Sequence, residues 1–232
     1  MRACKQPNGM VKAARLVCGP AAFFMGATLA PASACAVGLE TIQQCGSDTA
    51  CLGRLETAAL RESSGAAKRE GAQLTLQFGL HPASRFVDQP PQTHVYLGRL
   101  DGVLLHIVRV AAPSHPPAYW LVGESGQPPL RVDALPSGGP GGRHFVVASG
   151  HVLALYQRSG PRLSLQYRFE AATGLSWAVK SWREDGAAVR LEWIWPEAAA
   201  ACPGQPSQGS LQLRDGPYGW DFVPQPPRRC TP

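Results

Sequence analysis

Between Arg143 and Trp195 the chain carries the pattern of a sheet with one wet face. Leu163, Leu165, Tyr167 and Phe169 alternate with Ser164, Gln166, Arg168 and Glu170. A period of two sends one set to a buried face and the other to water. Ser159-Gly160 and Asp185-Gly186 are the pairs expected at tight hairpin turns, where glycine and small polar residues tolerate positive φ. Pairing Trp182 with Val189 across the second turn puts Trp182, Val189, Leu191, Trp193 and Trp195 on one face. Ser181, Arg183, Arg190 and Glu192 take the other. Lys180 then falls on the apolar face, a misfit that marks a bulge, a sheet edge or a different register.

Upstream, Thr93–Leu100 and Val103–Ala112 read as a hairpin around Asp101-Gly102. In that register Leu100 pairs with Val103 and Tyr96 with Ile107. Both faces are apolar, which predicts strands covered on both sides. Further strands are expected at Gln73–Phe78, Tyr119–Gly123, Leu130–Asp133, Arg143–Ser149, Val152–Gln157, Leu211–Arg214 and Tyr218–Val223. Pro82, Pro90 and Pro91 read as a loop, and so does the glycine-rich stretch Ser137–Gly142. With 25 Gly and 22 Pro, about a fifth of the chain is turn-forming, as a hairpin-rich β protein requires.

The first 36 residues read as a signal peptide. Arg2, Lys5, Lys12 and Arg15 give a basic start. An apolar run follows from Leu16 to Ala30, then the small residues Ala32-Ser-Ala-Cys-Ala36. Gly19-Pro20 and Gly26 break the apolar run, so no transmembrane span is expected in the mature chain. Cleavage after Ala34 or Ala36 fits. Acylation of Cys35 is the less favoured alternative, because leucine is missing three positions before it. The expected location is periplasmic or secreted, with a lipid anchor second.

Cleavage after Ala36 leaves four cysteines: Cys45, Cys51, Cys202 and Cys230. An even number in an exported chain predicts two disulfides, with three connectivities open. Cys45–Cys51 with Cys202–Cys230 is favoured, since each pair brackets one local unit. Residues 37–71 read as a helical, disulfide-looped leader and linker. Asp48 or Thr49 caps a helix whose apolar side is Leu52, Leu55 and Ala59, and Ser63–Gly71 is the linker. Residues 72–232 form the β domain.

The formal charge of +6 is concentrated at the start of the chain. Without the four basic residues of the signal segment, 18 basic residues face 16 acidic ones. No run of Lys or Arg exceeds two, so the basic face needed for nucleic acid is missing.

Motifs for chemistry are sparse. Gly123-Glu-Ser125-Gly126 falls one residue short of a nucleophile elbow and precedes no helix. Gly138–Gly142 lacks the lysine of a phosphate loop. His94 and His106 fall on opposite faces of their hairpin in the register above, and the other histidines are scattered, so no metal site is expected. Catalytic residues and cofactors are not assigned. Tryptophans cluster in the last third: Trp193 and Trp195 are expected in the core, whereas Trp177, beside Arg190, and Trp220 are the candidate binding surface.

Trp120-Leu-Val-Gly-Glu-Ser-Gly126, followed by Ser137-Gly-Gly-Pro-Gly-Gly-Arg143 and the strand to Ser149, resembles a β-propeller blade over about forty residues, 120–157. That resemblance implies stacked four-stranded sheets. The turn departs from the family's pattern in lacking its Asp, and the chain shows no clear second copy. Cys45-Gly-Ser-Asp-Thr-Ala-Cys51-Leu-Gly-Arg-Leu resembles the leader of secreted lysozyme-inhibitor-like bacterial proteins. Otherwise the chain is like exported bacterial β-proteins. The expected fold is all-β, of antiparallel hairpins in propeller-like sheets or a sandwich, with a short helical leader. The expected role is non-catalytic binding of an envelope component or protein; a cell-envelope hydrolase and an inhibitor-like module are the alternatives.

Overall fold

The structure is a computed structural model that describes residues 39–100, 105–113, 115–160, 162–198, 204 and 206–227. The signal segment, Cys35, Cys202, Cys230 and the Asp101-Gly102 turn lie outside the described residues. Two helices come first, α1 (Leu39–Cys45) and α2 (Thr49–Glu62). Asp48 caps α2 as expected, its carboxylate accepting from the Ala50 and Cys51 N–H groups. The Cys45–Cys51 disulfide joins the end of α1 to the first turn of α2. No helix among the described residues is long and apolar enough to cross a membrane.

Among the described residues fifteen strands follow in four antiparallel sheets. The first holds β1 (Ala67–Glu70), β2 (Gln73–Leu76) and β3 (Ser84–Val87). The second holds β4 (Thr93–Leu100), β5 (Leu105–Ala112), β6 (His115–Val122) and β7 (Leu130–Val132). The third holds β8 (Pro136–Gly138), β9 (His144–Ser149), β10 (Val152–Ser159) and β11 (Arg162–Glu170). The fourth holds β12 (Ser176–Trp182), β13 (Ala188–Ile194), β14 (Gln208–Gly216) and β15 (Gly219–Val223). Every sheet is a meander of consecutive strands.

Three cores lie between successive sheets. Leu74, Leu76 and Phe86 of the first sheet meet Tyr96, Val108 and Val122 of the second. Ile107, Tyr119 and Leu121 of the second meet Phe145 and Val147 of β9, with Leu52 of α2 joining them. Val146, Leu153 and Leu155 of the third sheet meet Trp177, Val189, Leu191, Trp193 and Phe222 of the fourth. β9 thus sends Phe145 and Val147 one way and Val146 the other, as a pleated strand buried on both faces must. A leucine such as Leu74 or Leu155, fully withdrawn from water, contributes about 2–3 kcal/mol.

Several details depart from the sequence expectations. Ser63–Gly71, expected as a linker, contains β1, and the proline-rich loop contains β3. The glycine-rich stretch begins within β8, which takes Ser137 and Gly138. In the β4–β5 hairpin Tyr96 pairs with Val108 and Leu100 with Leu105, with an irregularity between Tyr96 and Gly98. The extra residue reverses parity, so His94 and His106 share one face, the reverse of the expectation, flanking Tyr96. In β12 the Lys180 misfit is a register shift between Val179 and Ser181, while Trp182 pairs with Val189 as expected. That bulge turns Trp177 onto the core face opposite Trp193. It is 9% exposed and stacks on Phe222 at 5.7 Å.

Candidate binding cleft

The expected tryptophan surface does not assemble. Trp177 is buried, and half-buried Trp220 packs on the same core and meets His144 edge-on at 5.2 Å. Arg190 is exposed and alternates with buried Val189 and Leu191, so it faces the other way. Trp193 and Trp195 are buried, as expected.

The structure instead gathers charged residues beside β4. This strand is the edge of its sheet, and an uncovered edge leaves N–H and C=O groups unpaired. Here side chains take their place. Glu56 of α2 accepts the Tyr96 N–H through Oε1 at 3.0 Å. The same oxygen accepts Arg69 Nε at 3.0 Å and Nη2 at 2.7 Å. Arg69 also donates to the His94 carbonyl and, through Nη1, to Asp88 Oδ2 at 3.1 Å. Asp88 Oδ1 accepts the His94 N–H at 2.7 Å and lies 3.1 Å from His94 Nδ1. Gln92 Nε2 lies 3.3 Å from His94 Nε2. Both ring nitrogens of His94 thus have partners within this cluster.

On the other side of β4, Arg109 interrupts the apolar run of β5. It pairs with Val95 and Tyr119 and is 6% exposed. Its Nη2 donates to the Gly46 carbonyl inside the disulfide loop at 3.1 Å, and the guanidinium lies beside the Tyr119 phenol. Burial pushes the Tyr119 phenol up, and Arg109 opposes that shift. Among the described residues no carboxylate pairs with Arg109.

These groups surround a cleft of about 670 Å³. Leu52, Val95, Ala111, Ala112, Pro113 and Pro117 supply apolar walls; Glu56, Arg69, Asp88, His94, Arg109 and His115 supply the polar groups. That volume and mixture are those of small-molecule sites. Neither Glu56 nor Arg109 was singled out from the sequence, although Glu56 lies in line with Leu52 and Ala59 on α2 and Arg109 stands within Ile107-Val-Arg-Val110.

A second cluster lies at the opposite end of β4. Tyr96 Oη is 2.8 Å from His106 Nδ1, His106 Nε2 is 3.2 Å from Glu124 Oε1, and Arg99 Nε is 3.8 Å from the same oxygen. The carboxylate requires a proton on Nε2, so the Tyr96 hydroxyl donates to Nδ1. Burial lowers the His106 pKa, with Glu124 opposing, and burial raises that of Tyr96. Phe78 covers the imidazole at 4.4 Å. Both ring nitrogens are thus engaged within the protein. Among the described residues no group of three or more His, Cys, Asp or Glu could hold a metal ion.

Comparison with known proteins finds no matching family model, no matching curated protein and no matching solved structure. Function therefore has to be read from the cleft's own chemistry.

Proposed function

We propose that the chain is an exported, non-catalytic binding protein that holds a small ligand in the cleft beside β4. The observation that carries this reading is Arg109, a buried cation without a carboxylate partner among the described residues, lining an open cleft with apolar walls. An unneutralised charge in a partly dry site favours a ligand that supplies the missing interaction. The Cys45–Cys51 bridge and the sequence's apolar leader support export, and the consecutive four-stranded meanders support a propeller-like stacking of the sheets.

Thermal-shift screening of the oxidised protein against small anions, cations, zwitterions and neutral compounds tests the reading. We expect at least one class to raise the melting temperature saturably, and Ala111→Trp, which fills the cleft, to remove that shift. Binding unaffected by Ala111→Trp, or no binding from any class, would overturn the cleft as the site. Sequencing the N-terminus of the exported protein tests the leader: a chain still carrying Arg15 would overturn export by cleavage.

A further inference from the structure

We infer that the cleft selects an organic monoanion, a carboxylate bound to Arg109 and carried on an apolar body. The inference rests on the binding reading above and names its ligand class.

Its basis is the contrast between two charges that are bonded within the protein and one that is not. The two carboxylates that line the cleft, Glu56 and Asp88, are both taken up by its own groups. Glu56 Oε1 accepts from Arg69 and from the Tyr96 N–H. Asp88 accepts from Arg69 through Oδ2 and from the His94 N–H through Oδ1. Arg109 is different. It is 6% exposed, its Nη2 donates to the Gly46 carbonyl, and it lies beside the Tyr119 phenol. Neither neighbour carries a charge, and among the described residues no carboxylate pairs with Arg109. A buried cation that meets only neutral dipoles is costly, and an anion entering the cleft relieves that cost. The guanidinium offers five N–H donors in a planar fork, a geometry that matches a carboxylate.

The surroundings of Arg109 set the rest of the ligand. On β4, Val95 stands opposite Arg109 and Thr93 opposite Ala111, and all four residues line the cleft. Leu52 of α2 lines the same space. A ligand with its carboxylate on Arg109 therefore lies against short and apolar side chains. The cleft of about 670 Å³ leaves room for a body well beyond a methyl group, and burying that body adds to the charge contact. Charge number is limited as well. Glu56 and Asp88 line the same cleft, so a second negative charge on the ligand would meet two like charges. That favours a carboxylate over a doubly charged phosphate monoester. An ammonium, in turn, would find both carboxylates already bonded to Arg69 and would face Arg109 as a like charge.

Titration calorimetry on the oxidised protein at pH 7.5 provides the test, with 3-phenylpropionate as the probe. Four comparison compounds each change one property. 3-Phenylpropionamide removes the charge, 3-phenylpropylamine reverses it, 2-phenylethyl phosphate doubles it, and acetate removes the apolar body. We expect 3-phenylpropionate to bind, and the amide to bind about tenfold or more weakly, as loss of one charge-assisted contact implies. The amine, the phosphate and acetate should also bind more weakly than the acid. Arg109→Gln should erase the difference between acid and amide, and Ala111→Trp should abolish binding of the acid. The ligand comparisons need no variant, so a variant that fails to fold does not rescue the idea. Equal binding of acid and amide would sink the monoanion inference and leave the cleft reading standing, and so would tighter binding of the amine or the phosphate. Acetate binding as tightly as 3-phenylpropionate would sink the apolar body. If 3-phenylpropionate does not bind while another class gives a melting shift sensitive to Ala111→Trp, the inference falls alone; if no class gives such a shift, the cleft reading falls with it.

Discussion

Replacing Arg69 with methionine removes the centre of the cluster that covers β4. The side chain keeps its length and apolar stem but loses its bonds to Glu56, to Asp88 and to the His94 carbonyl. Two carboxylates, with side chains 14% and 23% exposed, are then left on one strand edge without their shared cation. Breaking a fully buried pair costs about 3–5 kcal/mol, and an exposed pair about 0–1. Arg69 is 19% exposed, so water screens part of the effect, and we expect a loss of about 2–4 kcal/mol. For a chain of this size that is a fall of roughly 5–12 °C in melting temperature. Urea denaturation at pH 7.5 gives the free energy directly, and Lys180→Met is the control. Lys180 pairs with Glu192 at 2.9 Å, but both side chains are more than two-fifths exposed. A loss for Arg69→Met no larger than the control's would refute the view that these side chains replace the missing strand partner. Adding Glu56→Gln to Arg69→Met should recover part of the loss, because the two residues are coupled.

Three further outcomes are expected. His106 and His144 both titrate below the ordinary histidine value, mainly through burial. Their neutral forms therefore support stability above about pH 6.5, and that contribution declines as pH falls toward their folded-state values; melting scans from pH 8 to 5 should slope downward, and His106→Gln should flatten the slope. A Cβ at Gly209 would sit 2.7 Å from Trp193, so Gly209→Ala should cost about 1–3 kcal/mol and alter the near-ultraviolet circular dichroism of the buried tryptophans; an unchanged spectrum and midpoint would contradict the packing. Cys51→Ser opens the small Cys45–Cys51 loop and should lose about 2 kcal/mol in urea denaturation of the oxidised protein; an unchanged midpoint would show that the bridge is dispensable.

What could be read from the sequence was what is encoded locally. The Asp48 cap and the apolar character of both faces of β4 and β5 each depend on neighbouring residues, and both are found; the alternation of β11 holds only in part, with Leu163, Tyr167 and Phe169 half-buried and Leu165 exposed. β1 escaped because Ala67-Lys-Arg-Glu70 has almost no apolar alternation; it is a strand because β2 pairs with it. The parity of β4 and of Trp177 turned on single-residue bulges. Lys180 announced one of them, and Gly98, a lone glycine within a strand pattern at φ 87°, marked the other. The cleft was the least legible part. Glu56, Arg69, Asp88 and Arg109 come from three separate strand and loop segments and one helix, and no two are close in sequence. Arg69 reaches across 13 residues to Glu56, and Arg109 across 63 to Gly46. Only the odd placement of Glu56 on an apolar stripe and of Arg109 in a buried strand hinted at them.

The order of strands within the sheets also bears on how the chain reaches its native state. Each hydrogen-bonded pair joins strands adjacent in sequence, from β1 with β2 to β14 with β15. Registers can therefore be set as short hairpins, with small loop-closure penalties, before distant parts of the polypeptide meet. A chain synthesised from its N-terminus delivers its strands in the sequence in which they pair. α2 is already present when β4 arrives, so the edge that would otherwise invite a neighbouring molecule is met at once by its own helix.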